Sequence, residues 1–217
     1  MKQLLGQLYQ WCKEAVHRIG LRVVLVLGGY IILAVLAVAL TNGWLNRLAA
    51  LNTQIGQAKD TLVTLEQLRT GLMQAESIQR GFLITARPGY IAPYDDAIKQ
   101  VEASLDKLET QLQPAGSADH ARFDELLKSI TADIEGKVTE MQMLLSLARD
   151  GNTEGAVKVI NTDEGLVKMA NFFNDTSALN TALNEDVERL SQSRDRIMLA
   201  GRASVWASIL LVLILVV

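Results

Sequence analysis

Between Arg22 and Arg47 the chain carries no charged side chain, and residues 23–46 are apolar almost throughout. Such a stretch exceeds the roughly 20 residues that a helix needs to cross a hydrocarbon core. It predicts a first transmembrane helix over residues 23–44. A second charge-free run, residues 203–217, predicts a second one. That run is shorter and closes on Leu213-Ile214-Leu215-Val216-Val217 with no charge to mark the far membrane face. The expectation is a truncated span that continues, in a longer protein, into a basic segment and a further domain.

Orientation follows from the basic residues. Lys2, Lys13, Arg18 and Arg22 precede the first span against one acid, Glu14, so the excess of positive charge places the N-terminus in the cytoplasm and the middle of the chain outside. A cleaved signal peptide is the rival reading, because Ala37-Val38-Ala39 has the small-x-small pattern of a cleavage site. Against it, the apolar run is longer than a signal core of about 7–15 residues, and the helical pattern continues past Asn46. Residues 1–22 form a cytoplasmic amphipathic segment, with Leu4, Leu8, Trp11, Ala15 and Ile19 on one helical face and Lys2, Lys13 and Arg18 available to anionic headgroups. A plain juxtamembrane helix explains the same residues. Cys12 is the only cysteine, which excludes an intrachain disulfide and a thiolate zinc cluster.

Residues 45–202 read as ordinary water-soluble protein, all-α. Leu48, Leu51, Ile55, Ala58, Leu62, Leu65, Leu68, Leu72, Ala75, Gln79 and Phe82 recur at steps of mostly three and four, the seam of a helix packed against others. The run meets no proline before Pro88, so the first helix extends about 60 Å beyond the membrane at 1.5 Å per residue. Ala86-Arg87-Pro88-Gly89 turns the chain back, since proline cannot continue a helix and pushes Arg87 toward an extended conformation. A second helix is expected from Pro93, with the seam Ile98, Val101, Leu105, Leu108 and Leu112.

Residues 114–119 form a loop of small residues, after which Phe123, Leu127, Ile130, Ile134, Val138, Met141, Leu145 and Ala148 mark a third helix that ends at Asp150-Gly151-Asn152. A short helix over residues 153–160 leads to Thr162 or Asp163 as N-cap of the last helix, whose seam is Leu166, Met169, Phe173, Leu179, Leu183, Val187, Leu190 and Ile197. Each long helix has one apolar stripe and the connections are short, which predicts an antiparallel up-down four-helix bundle whose long first and last helices are continuous with the two transmembrane helices.

Glu76-Ser77-Ile78-Gln79-Arg80-Gly81-Phe82-Leu83-Ile84-Thr85, followed by Tyr90-Ile91-Ala92-Pro93-Tyr94, resembles the signature of the third class of CHASE extracellular sensory domain. Lys137 with Glu140, Ala148-Arg149-Asp150-Gly151 and Gly165-Leu166-Val167-Lys168-Met169 match the same pattern in order and spacing, so the resemblance covers roughly residues 60–190. The family usually has Thr-Gly after the glutamate, where this chain has Ser77-Ile78. The resemblance implies the periplasmic input module of a bacterial inner-membrane receptor, acting as a homodimer and joined to a histidine kinase, a diguanylate cyclase or a chemotaxis-type output.

Five residues are candidates for sensing or for fixing helix register. Glu76 and Arg80 lie one turn apart and, with Gln79, fall on or beside the seam, where buried polar groups need partners. Tyr90 and Tyr94, also one turn apart, sit at the tip farthest from the membrane, where they line a small cleft or cap the apolar end of the bundle. Gly81 is read as a place of close helix approach. His17 and His120 fall on opposite sides of the membrane, and no phosphate loop or metal-binding helix motif is present, so neither catalysis nor a cofactor is expected. The segment outside the membrane is net acidic, which argues against nucleic acid. The expected partners are the lipid bilayer, a second copy of the chain, and a small ligand or periplasmic protein. The competing reading is a non-sensing scaffold that binds a partner protein through the bundle.

Overall fold

The computed structural model describes residues 20–113 and 120–216. Of the amphipathic segment predicted over residues 1–22, residues 1–19 lie outside the described residues, as does the small-residue loop 114–119. Every regular element among those described is helical. In order they are α1 (Leu21–Thr85), a single 3-10 turn (Pro88–Tyr90), α2 (Ile91–Leu112), α3 (His120–Arg149), α4 (Thr153–Ile160) and α5 (Glu164–Val216). The chain divides into two compact units, Thr53–Ser191 and the flanking segments up to Asn52 and from Gln192.

In the unit Thr53–Ser191 one apolar core draws on α1, α2, α3 and α5. Leu65, Leu68 and Leu72 of α1, Val101 and Leu108 of α2, Ile130 and Met141 of α3, and Phe172 and Leu179 of α5 are all buried in it. All but Phe172 are predicted seam positions, buried because a helix with a single apolar stripe removes that stripe from water only against another helix. The last helix departs from its predicted stripe in two places. Leu166 is 68% exposed, because it stands in the first turn of α5, where Gly165 is the residue turned inward. Phe172 is fully buried, whereas the predicted Phe173 is only half-buried and sets its ring edge-on to Phe172.

Polar residues continue the stripes without breaking them. Thr61, Thr64 and Thr176 are buried, and each hydroxyl donates to the carbonyl one turn back in its own helix, to Gln57, Asp60 and Phe172 respectively. A threonine so bonded fills a core position with no unmet donor.

The turns follow local chemistry. After α1, Ala86 takes a left-handed φ of 53° and Arg87 is extended, as the following proline requires. The expected start of the second helix moves forward from Pro93 to Ile91, because the 3-10 turn opened by Pro88 runs directly into α2. Pro93 is tolerated there since the first four N–H groups of a helix have no intrahelical acceptor. Gly151, at φ 69°, ends α3, and Asn152 caps α4 by accepting from the Gly155 N–H at 2.9 Å. Before α5, the Thr162 hydroxyl accepts from the Glu164 N–H at 3.3 Å.

In the other unit, α1 includes an 18-residue window of mean hydropathy 1.7, none of it buried. Ile31, Ile32, Val35, Leu36 and Val38 stand exposed along it. Within this unit the ring of Trp44 lies on Gly201 of α5, where an added Cβ would come within 3.1 Å of the indole.

Candidate functional site

Charge inside the helical core is the feature that requires explanation, since an ion taken from water must be matched by good partners. Lys137 lies on the inward face of α3, between Ile134 and Met141, with its side chain only 6% exposed. Its ammonium lies 2.7 Å from Glu140 Oε2, one turn along α3, and 3.1 Å from Glu76 Oε1 of α1. The same Glu76 oxygen accepts from the Arg80 guanidinium at 2.9 Å. Two carboxylates and two cations therefore balance in formal charge, with the arginine facing solvent and the lysine inside.

The cluster extends to a third helix. The Glu140 carboxylate occupies the space beside Gly165 where any side chain would begin, so a Cβ there would overlap it. Glycine at this position is what lets the carboxylate lie against the first turn of α5. Three helices thus meet at one group of charges.

Two further polar pairs join α3 to α5. Asp133, buried, lies 3.4 Å from the Lys168 ammonium, whose aliphatic stem rests on Gly136. The Ser129 hydroxyl donates to Asp175 at 2.5 Å. Going along α3 from Ser129 through Asp133 to Glu140, the partners on α5 run backward from Asp175 through Lys168 to Gly165. The two helices are therefore antiparallel and polar pairs fix their register.

Of the five sequence candidates, Glu76 and Arg80 are brought together as an ion pair. Gln79 is buried on the same helix, and its Nε2 finds no hydrogen-bond acceptor among the described residues. Tyr90 lies over Gly81, where an added Cβ would come within 2.5 Å of the ring. Tyr94 is in the core with Phe82 and Ile98, its hydroxyl likewise unpartnered. Burial, with a smaller contribution from the charge of Asp95, pushes the Tyr94 phenol up to about 12.

Sequence reasoning did not single out Lys137 as a site residue. The signal was present, since a lysine on an otherwise apolar stripe needs a buried anion, but which acid supplies it depends on how α1 packs against α3. Toward the other end of α3 an open cleft of about 680 Å³ is lined by Arg122, Asn180, Thr181, Asn184 and Glu185, with Arg122 and Glu185 3.9 Å apart. Among the described residues no group of three His, Cys, Asp or Glu side chains is placed to hold a metal.

The family model described as CHASE3 domain matches residues 51–195, about two-thirds of the chain. The chain belongs to the CHASE3 domain family. Glu76, Lys137, Glu140 and Gly165 all lie within the matched region. A CHASE3 domain is an extracellular sensory module of signalling receptors and is not catalytic. Neither the curated proteins nor the solved structures contain a significant match to the chain.

Proposed function

We propose that this CHASE3 chain is the membrane-anchored periplasmic input module of a bacterial signal-transduction receptor. Residues 1–22 lie in the cytoplasm, residues 23–44 cross the inner membrane, residues 45–202 form the periplasmic domain, and residues 203–217 are the first part of a second crossing. There α1, α2, α3 and α5 make an antiparallel up-down four-helix bundle, and the receptor works as a homodimer. A stimulus, a small ligand or a periplasmic protein, biases two arrangements of the bundle. The bias passes through the first and last helices to a cytoplasmic output of the histidine kinase, diguanylate cyclase or chemotaxis type.

One observation carries this reading: α1 (Leu21–Thr85) and α5 (Glu164–Val216) are each a single uninterrupted helix that contributes both to the buried core and to an apolar, charge-free segment. A helix transmits displacement along its length because its hydrogen bonds keep it stiff, so a slide, tilt or rotation at one end reaches the other. Coupling then requires only that the stimulus bind the two arrangements unequally. The polar pairs between α3 and α5 and the Lys137 cluster between α1 and α3 hold the bundle in one register.

The test is a Gly-Pro insertion after Arg194 in the full receptor, with output measured with and without stimulus. Loss of the response with the protein still present in the membrane supports the reading, and an unchanged response refutes it. The orientation is tested separately by Ile84→Cys, at a position 84% exposed, in a Cys12→Ser background. A membrane-impermeant thiol reagent applied to intact spheroplasts labels a periplasmic residue and spares a cytoplasmic one.

A further inference from the structure

Gln79 of α1 and Tyr94 of α2 are buried in the core, at 3% and 4% exposure, and neither the Gln79 Nε2 nor the Tyr94 hydroxyl has a hydrogen-bond partner among the described residues. A buried polar group left unmet carries the full cost of its desolvation, so such groups in folded proteins are almost always answered by protein or by ordered water.

The two groups stand at one height in the bundle. Gly71 of α1 meets Val101 of α2, and Gly81, ten residues on, meets Tyr90, eleven residues back, so the two helices run antiparallel. On that ladder Tyr94 lies opposite residues 77–78. Gln79 is then within two residues of its height, about 3 Å along the axis at 1.5 Å per residue. Side chains on a helix lean toward its N-terminus. On antiparallel helices this leans Gln79 away from the α1–α2 turn and Tyr94 toward it, so the two lean toward each other. Both face inward. Tyr94 packs in the core with Phe82 and Ile98, and Gln79 continues the buried stripe between Ala75 and Phe82.

The chemistry of the pair restricts what can answer it. An amide nitrogen only donates, whereas a phenol both donates and accepts, so the occupant must be an acceptor that also carries hydrogens. Two side chains so fully withdrawn from solvent offer no mouth to a solute of several atoms. A single water fits both conditions, since it needs two to four polar partners and no permanent opening.

We propose that one ordered water bridges Gln79 and Tyr94. It accepts from the Gln79 Nε2, pairs with the Tyr94 hydroxyl, and turns a hydrogen toward the carboxylate of Glu76, one turn back on α1. Glu76 already holds Lys137 of α3 at 3.1 Å, and Glu140, the other acid on Lys137, lies against Gly165 of α5. The water therefore joins α2 to the charges shared by α1, α3 and α5, which makes one polar layer across all four long helices.

The test counts long-lived waters by oxygen-17 magnetic relaxation dispersion on the full chain in detergent micelles, for the native chain, Gln79→Leu, Tyr94→Phe and the double variant. The native chain is expected to hold one such water more than either single variant, and the double variant to hold as many as the singles. Equal counts in the native chain and the double variant overturn the proposal, whether the site is dry or the amide meets the hydroxyl directly. A water that survives Tyr94→Phe overturns it too, because that water does not bridge, and so does the loss of two waters in the double variant. Should Gln79→Leu fail to fold, Tyr94→Phe decides alone, since it deletes a single oxygen. Chemical denaturation gives a second reading. The effects of the two single variants on the unfolding equilibrium constant should multiply to about fivefold more than the effect of the double variant, because each single leaves the other group unmet and the double leaves neither. Single effects whose product equals the double effect contradict a shared water.

Discussion

The ammonium of Lys137 lies 3.1 Å from a carboxylate oxygen of Glu76, on another helix and 61 positions away in sequence, and both side chains are largely withdrawn from water. This ion pair fastens α1 to α3, and the second acid, Glu140, carries the contact on to Gly165 of α5. Its energetic weight is asymmetric. Breaking a buried ion pair from one side leaves an uncompensated charge, whereas replacing the whole group by apolar residues does not.

Lys137→Met is therefore expected to destabilise the domain by about 3–5 kcal/mol, while the triple variant Glu76→Leu, Lys137→Met, Glu140→Leu stays within about 1–2 kcal/mol of the native chain. Chemical denaturation of the detergent-solubilised protein measures both. A single variant as stable as the triple one would remove the ion cluster from the account of register.

Gly165→Ala forces Glu140 away from the start of α5 and is expected to cost about 1–3 kcal/mol, as overpacking does. Gly56→Ala is its control. No atom lies within 4 Å of the Cβ it adds, so relief of the glycine penalty inside a helix raises stability by about 0.5–1 kcal/mol. Thermal unfolding of the two variants should shift in opposite directions.

Phe172 and Leu166 test the observed face of α5. Phe172→Ala empties a fully buried site and is expected to cost about 3–5 kcal/mol, whereas Leu166→Ala, at a position 68% exposed, changes stability by less than about 0.5 kcal/mol. Denaturant midpoints of the two variants check the order, and a reversed order contradicts the observed rotation of the helix.

Tyr94 gives the domain an alkaline limit. Its phenol is pushed up to about 12 from the ordinary tyrosine value of 10.0, so the folded state holds the proton after the unfolded state has lost it. The group's contribution is fully present below pH about 10, declines as pH rises toward about 12, and is gone above that, a total of about 2–3 kcal/mol at 1.36 kcal/mol per unit. Tyr94→Phe removes this dependence. Near neutral pH it is expected to change stability by no more than about 1 kcal/mol, because the hydroxyl it deletes has no hydrogen-bond partner among the described residues. Unfolding measured from pH 9 to 12 on both proteins checks the difference in slope.

The sequence by itself determined the helices and the places where they end. The three-and-four spacing from Leu65 to Phe82, the stop before Pro88 and the glycine after α3 act within a few residues of where they stand, so their consequences are local. The pairing of Glu76 with Arg80 was legible for the same reason, one turn of a single helix. Only the tertiary structure decided that Lys137 answers Glu76, that Gly165 makes room for Glu140, that Phe172 is more deeply buried than Phe173, and that Leu166 stands in solvent. Each of those outcomes depends on which helix lies opposite and at what height. An apolar stripe establishes that a helix must find neighbours. Which charge or ring meets it across the gap is set by the packing of all the helices at once.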